Sequence, residues 1–144
     1  MSRPSQRLLA VVASGLFALQ ILPAQGDSTT TPTTRSVISG VFNTEQVARG
    51  RAGHRAQCAS CHGTEAYTGE AFASAWKGQK VFDLFELIRT TMPNDNPGSI
   101  PQNELVDIVA YILNLNGYPP GEAELPNDPE ALKRIVIDTI PPRS

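Results

Sequence analysis

The sequence predicts an all-α domain of three to five helices, and three observations carry that expectation. Residues 45–57, 79–90 and 99–115 each show apolar or small residues at helical spacing between cap or stop signals. No strand in a βαβ pattern precedes Cys58. Between the first two helical stretches lies Cys58-Ala59-Ser60-Cys61-His62, the only cysteines of the chain followed directly by a histidine. The helices are therefore expected to pack around whatever that run holds.

The front of the chain reads differently. Arg3 and Arg7 precede an apolar stretch from Leu8 to Leu22, interrupted by Gln20, and the small residues Ala24 and Gly26 follow. This is the layout of a secretory signal, expected at 1–26 with cleavage after Gly26. The apolar run is short for a membrane span, so the mature chain is expected to be periplasmic and not membrane-spanning. An uncleaved anchor is the competing reading.

The full chain carries 12 Lys and Arg against 14 Asp and Glu. Without Arg3 and Arg7, 10 basic residues face 14 acidic ones, a net charge of −4. That balance argues against a nucleic-acid partner. Removing 26 of 144 residues leaves 118, the size of one small domain. Residues 27–41 are rich in threonine and serine, lack periodic apolar positions and are expected to form a flexible leader. The domain proper is expected at 42–125 and a tail wrapping its surface at 126–144.

Thr44 is the expected N-cap of the first helix, with Glu45 and Gln46 in its first turn. Gly50 costs about 1 kcal/mol in a helix interior relative to alanine, so it is expected to mark a close approach by another element. Residues 63–75 show little period and read as a loop closed by Trp76 and Gly78. Val81, Leu84, Phe85 and Ile88 form an amphipathic stripe. That helix is expected to end at Thr91-Met92-Pro93, because a residue before proline avoids helical geometry. Ser99 and Gln102 make a capping-box pair for the last helix, with Leu105, Ile108, Val109 and Ile112 as its stripe and Asn116-Gly117 as its stop. Asp128-Pro129-Glu130 is a further, smaller cap signal.

The C-x-x-C-H run is a signature of haem attached covalently through two thioethers. Cys58 and Cys61 would hold the porphyrin edge, and neutral His62 is a standard axial donor to haem iron. Two other readings compete. A disulfide with an incidental histidine should follow a strand in a βαβ pattern, which the preceding residues do not show. A zinc site wants four ligands, usually from two separated pairs, and the chain offers no further cysteine and only His54 besides His62.

Met92 is the second informative residue. It lies 30 positions beyond His62 and is the only methionine outside the initiator. A stiff, polar loop, Pro93 to Gly98, follows it, a poor setting for a gap-filling core methionine. A thioether as sixth ligand favours Fe(II) and raises the potential. It also fills the position at which an external ligand would bind. Arg49, Arg51, Arg55, Lys77 and Lys80 lie near the motif and could steer an acidic partner. A solvated helix face is the plainer reading of each.

Taken together, Cys58, Cys61 and His62, Met92-Pro93, and Ile108-Val109-Ala110-Tyr111 resemble class I monohaem c-type cytochromes over residues 42–125. The resemblance implies a cytochrome c-like fold of helices packed around one covalently bound haem c, with the first and last helices crossing at right angles. Gly50 matches the glycine at that crossing and Tyr111 the aromatic on the partner helix. The family usually carries a second aromatic four residues before the first cysteine, where this chain has His54. His54 is thereby a rival ligand, although its tie to Cys58 keeps it on the proximal helix.

A narrower resemblance covers Phe82 to Leu125, including Thr91-Met92-Pro93, Pro97-Gly98-Ser99 and Asn116-Gly117-Tyr118-Pro119. It is similar to cytochromes that accept electrons from bacterial quinoprotein (PQQ) alcohol dehydrogenases. It implies an electron-transfer protein and not an enzyme. The donor would be a dehydrogenase, the acceptor a terminal oxidase or another cytochrome. The protein would act as a monomer or as a dehydrogenase subunit. It also implies that Trp76 reaches a haem propionate through its indole N–H, with a plain core tryptophan as the other reading. A haem gas or redox sensor, or a small haem enzyme with a labile sixth ligand, is the alternative function.

Overall fold

The computed structural model describes residues 33–139, so the expected signal segment and residues 27–32 lie outside the described residues. In chain order the elements are β1 (Arg35–Ser36), α1 (Thr44–Gln57), α2 (Gly69–Trp76), α3 (Val81–Thr91), α4 (Gln102–Leu115), α5 (Pro129–Leu132) and β2 (Ile135–Val136). Short 3-10 turns at Val37–Ser39 and Thr64–Tyr67 precede α1 and α2. The all-α expectation holds, with one two-residue parallel ladder added: Arg35 pairs with Ile135 and Ser36 with Val136.

The fold is built on the crossing of α1 and α4. The stripe of α4 (Leu105, Ile108, Val109 and Ile112) is buried as its period predicts. Gly50 is where the two backbones meet: a Cβ there would stand 1.8 Å from the Asp107 carbonyl oxygen. The close approach expected of Gly50 is therefore real, and its partner is backbone. One turn on, Gly53 faces the side chains of Glu104 and Ile108. α3 closes the core with Val81, Leu84 and Phe85.

Several local expectations are corrected. The N-cap of α1 is Asn43, one residue before Thr44; its Oδ1 accepts a hydrogen bond from Gln46 N at 2.9 Å. Residues 63–75 are not a plain loop, because α2 buries Phe72 on one face, with Trp76 half-buried a turn later. The capping box expected of Ser99 and Gln102 does not form: α4 starts at Gln102 behind Pro101, with no side-chain cap.

The expected flexible leader is corrected over the part that is described. Val37 and Val41 are fully buried, and Ser36 and Gly40 cap the turn between them. Gly40 (φ +68°) touches Gly121 so closely that a Cβ on Gly121 would stand 2.2 Å from the Gly40 carbonyl oxygen. Threonine and serine dominate the composition of this segment, but its few apolar residues are the ones that pack.

The C-terminal residues lie along the same side. Ile137 exchanges backbone hydrogen bonds with Gly78 and Gln79 at 2.8 and 2.9 Å, and Leu132, Ile135 and Ile137 are buried. Asp128 caps α5 by accepting from Glu130 N at 3.1 Å. Gln46, buried in α1, fastens the intervening chain as a strand partner would. Its side-chain amide donates to the Leu125 carbonyl at 3.1 Å and accepts from Leu125 N at 2.7 Å. Among the described residues no helix is long and apolar enough to cross a membrane.

Candidate haem site

α1 ends where the motif begins. The His54 carbonyl accepts from both Cys58 N (2.8 Å) and Ala59 N (3.1 Å), and the Cys58 carbonyl accepts from Cys61 N and His62 N (3.1 and 3.0 Å). This winding carries Cys58, Cys61 and His62 round one tight turn at the helix terminus. Both thiols are free; Cys58 is half-buried and Cys61 exposed. Burial pushes the Cys58 thiol above its ordinary range, with the Glu104 carboxylate adding to the effect, so it is held neutral.

Met92 comes from a separate segment, at the end of α3. It is the C-cap of α3, its N–H bonded to the Ile88 carbonyl at 2.8 Å, and its carbonyl accepts from Gly98 N at 3.3 Å. The turn from Pro93 to Gly98 thus folds back beneath the methionine. Trp76 closes α2 and packs on Phe72, ring centroids 6.3 Å apart.

These residues line one cavity. Cys58, Cys61, His62, Trp76 and Met92 all face a space of about 800 Å³ walled by Leu84, Ile88, Ile108 and Ile112. That volume falls in the range of small-molecule and cofactor sites, about 300–1,000 Å³. Two thiols on its rim, an imidazole and a thioether are the donor chemistry of a covalently attached haem, and an apolar wall suits a porphyrin. The same set does not suit zinc, which takes four nitrogen, thiolate or carboxylate ligands. Among the described residues no cluster of three or more His, Cys, Asp and Glu is placed to hold a metal ion.

His54 lies on the same cavity wall, 4% exposed. Its ring packs on Tyr111 and Tyr67, centroids 5.4 Å away in each case, and Nε2 is hydrogen bonded to the Tyr67 hydroxyl. One ring nitrogen of the rival ligand His54 is thus engaged. Burial, with His62 nearby, holds His54 below the ordinary histidine range, so it is a neutral imidazole at pH 7. Tyr67 and Asn116 are site residues that sequence reading misses. Asn116 Nδ2 donates to the Tyr67 carbonyl at 3.0 Å, and its Oδ1 accepts from Gly69 N at 3.1 Å.

The basic residues near the motif do not act as one patch. Arg49 is bonded to Asp107 through two nitrogens (2.7 and 3.1 Å) and to Glu124 (2.9 Å), which removes it from any steering role. Arg51 lies over the Tyr111 ring, 5.8 Å from its centroid. Arg55 and Lys77 are exposed.

Residues 45–112 match the family described as cytochrome c oxidase, cbb3-type, subunit III. No curated protein and no solved structure matches the chain. The matched segment runs from the first turn of α1 into α4 and contains every residue expected at the site. The match and the cavity agree: the chain carries a c-type cytochrome domain whose cofactor is covalently bound haem c, and it is an electron-carrying protein.

Proposed function

We propose that this chain is a monohaem electron carrier of the periplasm, in which His62 and Met92 would hold the haem iron. The observation that carries the reading is that Cys58, Cys61, His62 and Met92, drawn from two separate segments, line a single cavity of cofactor size. Haem c supplies a one-electron Fe(III)/Fe(II) couple when bound. The protein supplies the rest. Cys58 and Cys61 would tether the cofactor, and Leu84, Ile88, Ile108 and Ile112 would keep water from it. Met92 would supply a thioether donor to the iron, which favours Fe(II) and would leave no place for an external ligand. Trp76, on the cavity wall, would donate its indole N–H to a propionate.

Exposed Ser60, Cys61 and Ala66 leave one rim of the cavity open to solvent, and electrons would enter and leave there. A quinoprotein dehydrogenase is the proposed donor, on the resemblance of residues 82–125. A terminal oxidase or another cytochrome is the proposed acceptor. The matched family is described as an oxidase subunit, which supports the oxidase end of that route. The protein would bind these partners transiently as a monomer, or serve as a subunit of one of them.

The test is the visible spectrum of the haem-matured protein, oxidised and reduced, with and without carbon monoxide. A low-spin c-type spectrum with a sulfur-to-iron band, unmoved by carbon monoxide, is expected. Met92→Ala should lower the potential and admit carbon monoxide. Unchanged potential and ligand binding in that variant would remove Met92 from the iron. Carbon monoxide binding by the unmodified protein would point to a sensor or a haem enzyme instead.

A further inference from the structure

We propose that His54 is a positioning residue of the haem site. Through the Tyr67 hydroxyl it clamps the segment that follows His62, and Asn116 holds the same segment from α4. The inference rests on reading His62 as an axial donor.

Packing alone does not explain His54. The position lies one helical turn before Cys58 and is filled by a ring wedged between Tyr67 and Tyr111. Phenylalanine would fill it without burying a polar group, which costs about 1–3 kcal/mol when left unbonded. The imidazole is tolerated because Nε2 meets the Tyr67 hydroxyl, either group donating according to the tautomer. Nε2 and the Tyr67 hydroxyl thus satisfy each other, and among the described residues no fully buried side-chain nitrogen or oxygen lacks a partner.

Tyr67 is where this bond has leverage. Its ring meets the His62 ring edge-on, centroids 6.4 Å apart. Only four residues separate the two, and the Ala66 N to Gly63 carbonyl hydrogen bond (3.1 Å) tightens them further. The backbone on the far side of Tyr67 is fixed by Asn116, which bonds Tyr67 O and Gly69 N with one amide and also donates to the Ile112 carbonyl at 2.9 Å. The chain from His62 to Gly69 is thus pinned to α1 by a side chain and to α4 by its backbone. Releasing the α1 pin frees the Tyr67 ring that packs on His62, and the orientation of an axial histidine tunes its iron.

The test is a double-mutant cycle on the haem-matured protein, read as midpoint potential and as stability. Tyr67→Phe removes a single oxygen and His54→Phe keeps the ring. Each should shift the Fe(III)/Fe(II) equilibrium constant by at most about tenfold, the full worth of one hydrogen bond; tenfold is 59 mV for one electron. The double variant should shift it no further than either single one, because both remove the same bond. His54→Gln, whose amide can still bond the phenol, should recover part of the change. Shifts that add in the double variant would overturn the clamp, as would potentials that stay fixed while stability falls. Should the unmodified protein bind carbon monoxide, the His62/Met92 ligation fails by itself, and the coupling between His54 and Tyr67 still decides the clamp.

Discussion

Gly50→Ala is the sharpest test of the architecture, since one methyl group is asked to enter a contact between two backbones. The new Cβ would stand 1.8 Å from the Asp107 carbonyl oxygen, 2.5 Å from its carbon and 2.9 Å from Tyr111 Cβ, whereas ordinary contact begins at 3.4 Å. No rotamer change relieves a clash with backbone, so α1 and α4 must separate. Alanine gains about 1 kcal/mol of helix propensity over glycine. Against that stand the overpacking cost, about 1–3 kcal/mol even where side chains can give, and the apolar area opened along the crossing, about 1.5–3 kcal/mol for each large side chain uncovered. With one large side chain uncovered, a net loss of about 1.5–5 kcal/mol follows. Guanidinium unfolding of the haem-matured protein, followed by far-UV dichroism, should show a lower midpoint at unchanged slope. Gly53→Ala is the internal control. Its nearest neighbours are the Glu104 and Ile108 side chains at 3.2 Å, which can give way, so it should stay within about 1 kcal/mol of the parent. The backbone-crossing argument is refuted if Gly50→Ala falls within that same margin, or if the two substitutions cost alike.

Two further outcomes follow from the packing. Gln46→Leu keeps the volume but strands the Leu125 N–H and carbonyl that Gln46 satisfies, so it should cost about 2–4 kcal/mol and raise proteolysis near residue 125; a neutral result would mean that water replaces the amide. Neutral His54 also makes stability depend on pH. Its pKa in the fold lies below the ordinary value, so below about pH 6.5 the unfolded chain binds a proton that the folded one refuses, and stability falls as pH falls. Between pH 7 and 5 the His54→Phe variant should therefore lose less stability than the parent, and parallel curves would place a charged or solvated imidazole at this site.

How much of this was legible in the sequence depends on the range over which each signal acts. α1, α3 and α4 are eleven to fourteen residues long. Each buries a stripe wide enough for its period to show. α2 has eight residues and buries Phe72 alone. Its one periodic cue is the Phe72–Trp76 pair in a run rich in alanine, too little to separate it from a loop. The caps shifted for a related reason: Asn43 and Thr44 are adjacent and both suited to the role, and the backbone path out of Phe42 decides between them. The five residues expected at the site are ones whose chemistry is written in their type, and the structure gathers all five round one cavity.

Non-local partners leave no local mark. The Thr/Ser-rich segment pairs through Arg35 and Ser36 with residues a hundred positions away, and nothing in its own composition signals a partner at 135–136. Tyr67 and Asn116 are equally silent. One stands in an unpatterned stretch and the other reads as a helix stop, a role Asn116 also fills, with Gly117 following at φ +86°. His54 shows the converse: the position did carry a signal, because a histidine replaces an aromatic there. Sequence can mark that exchange as a departure but cannot say what the extra nitrogens do. Their role becomes visible only once the fold brings Tyr67 across from the far side of the haem-binding turn. A residue that breaks a family pattern at a buried position is thus a reason to look for its partner among residues that the pattern does not cover.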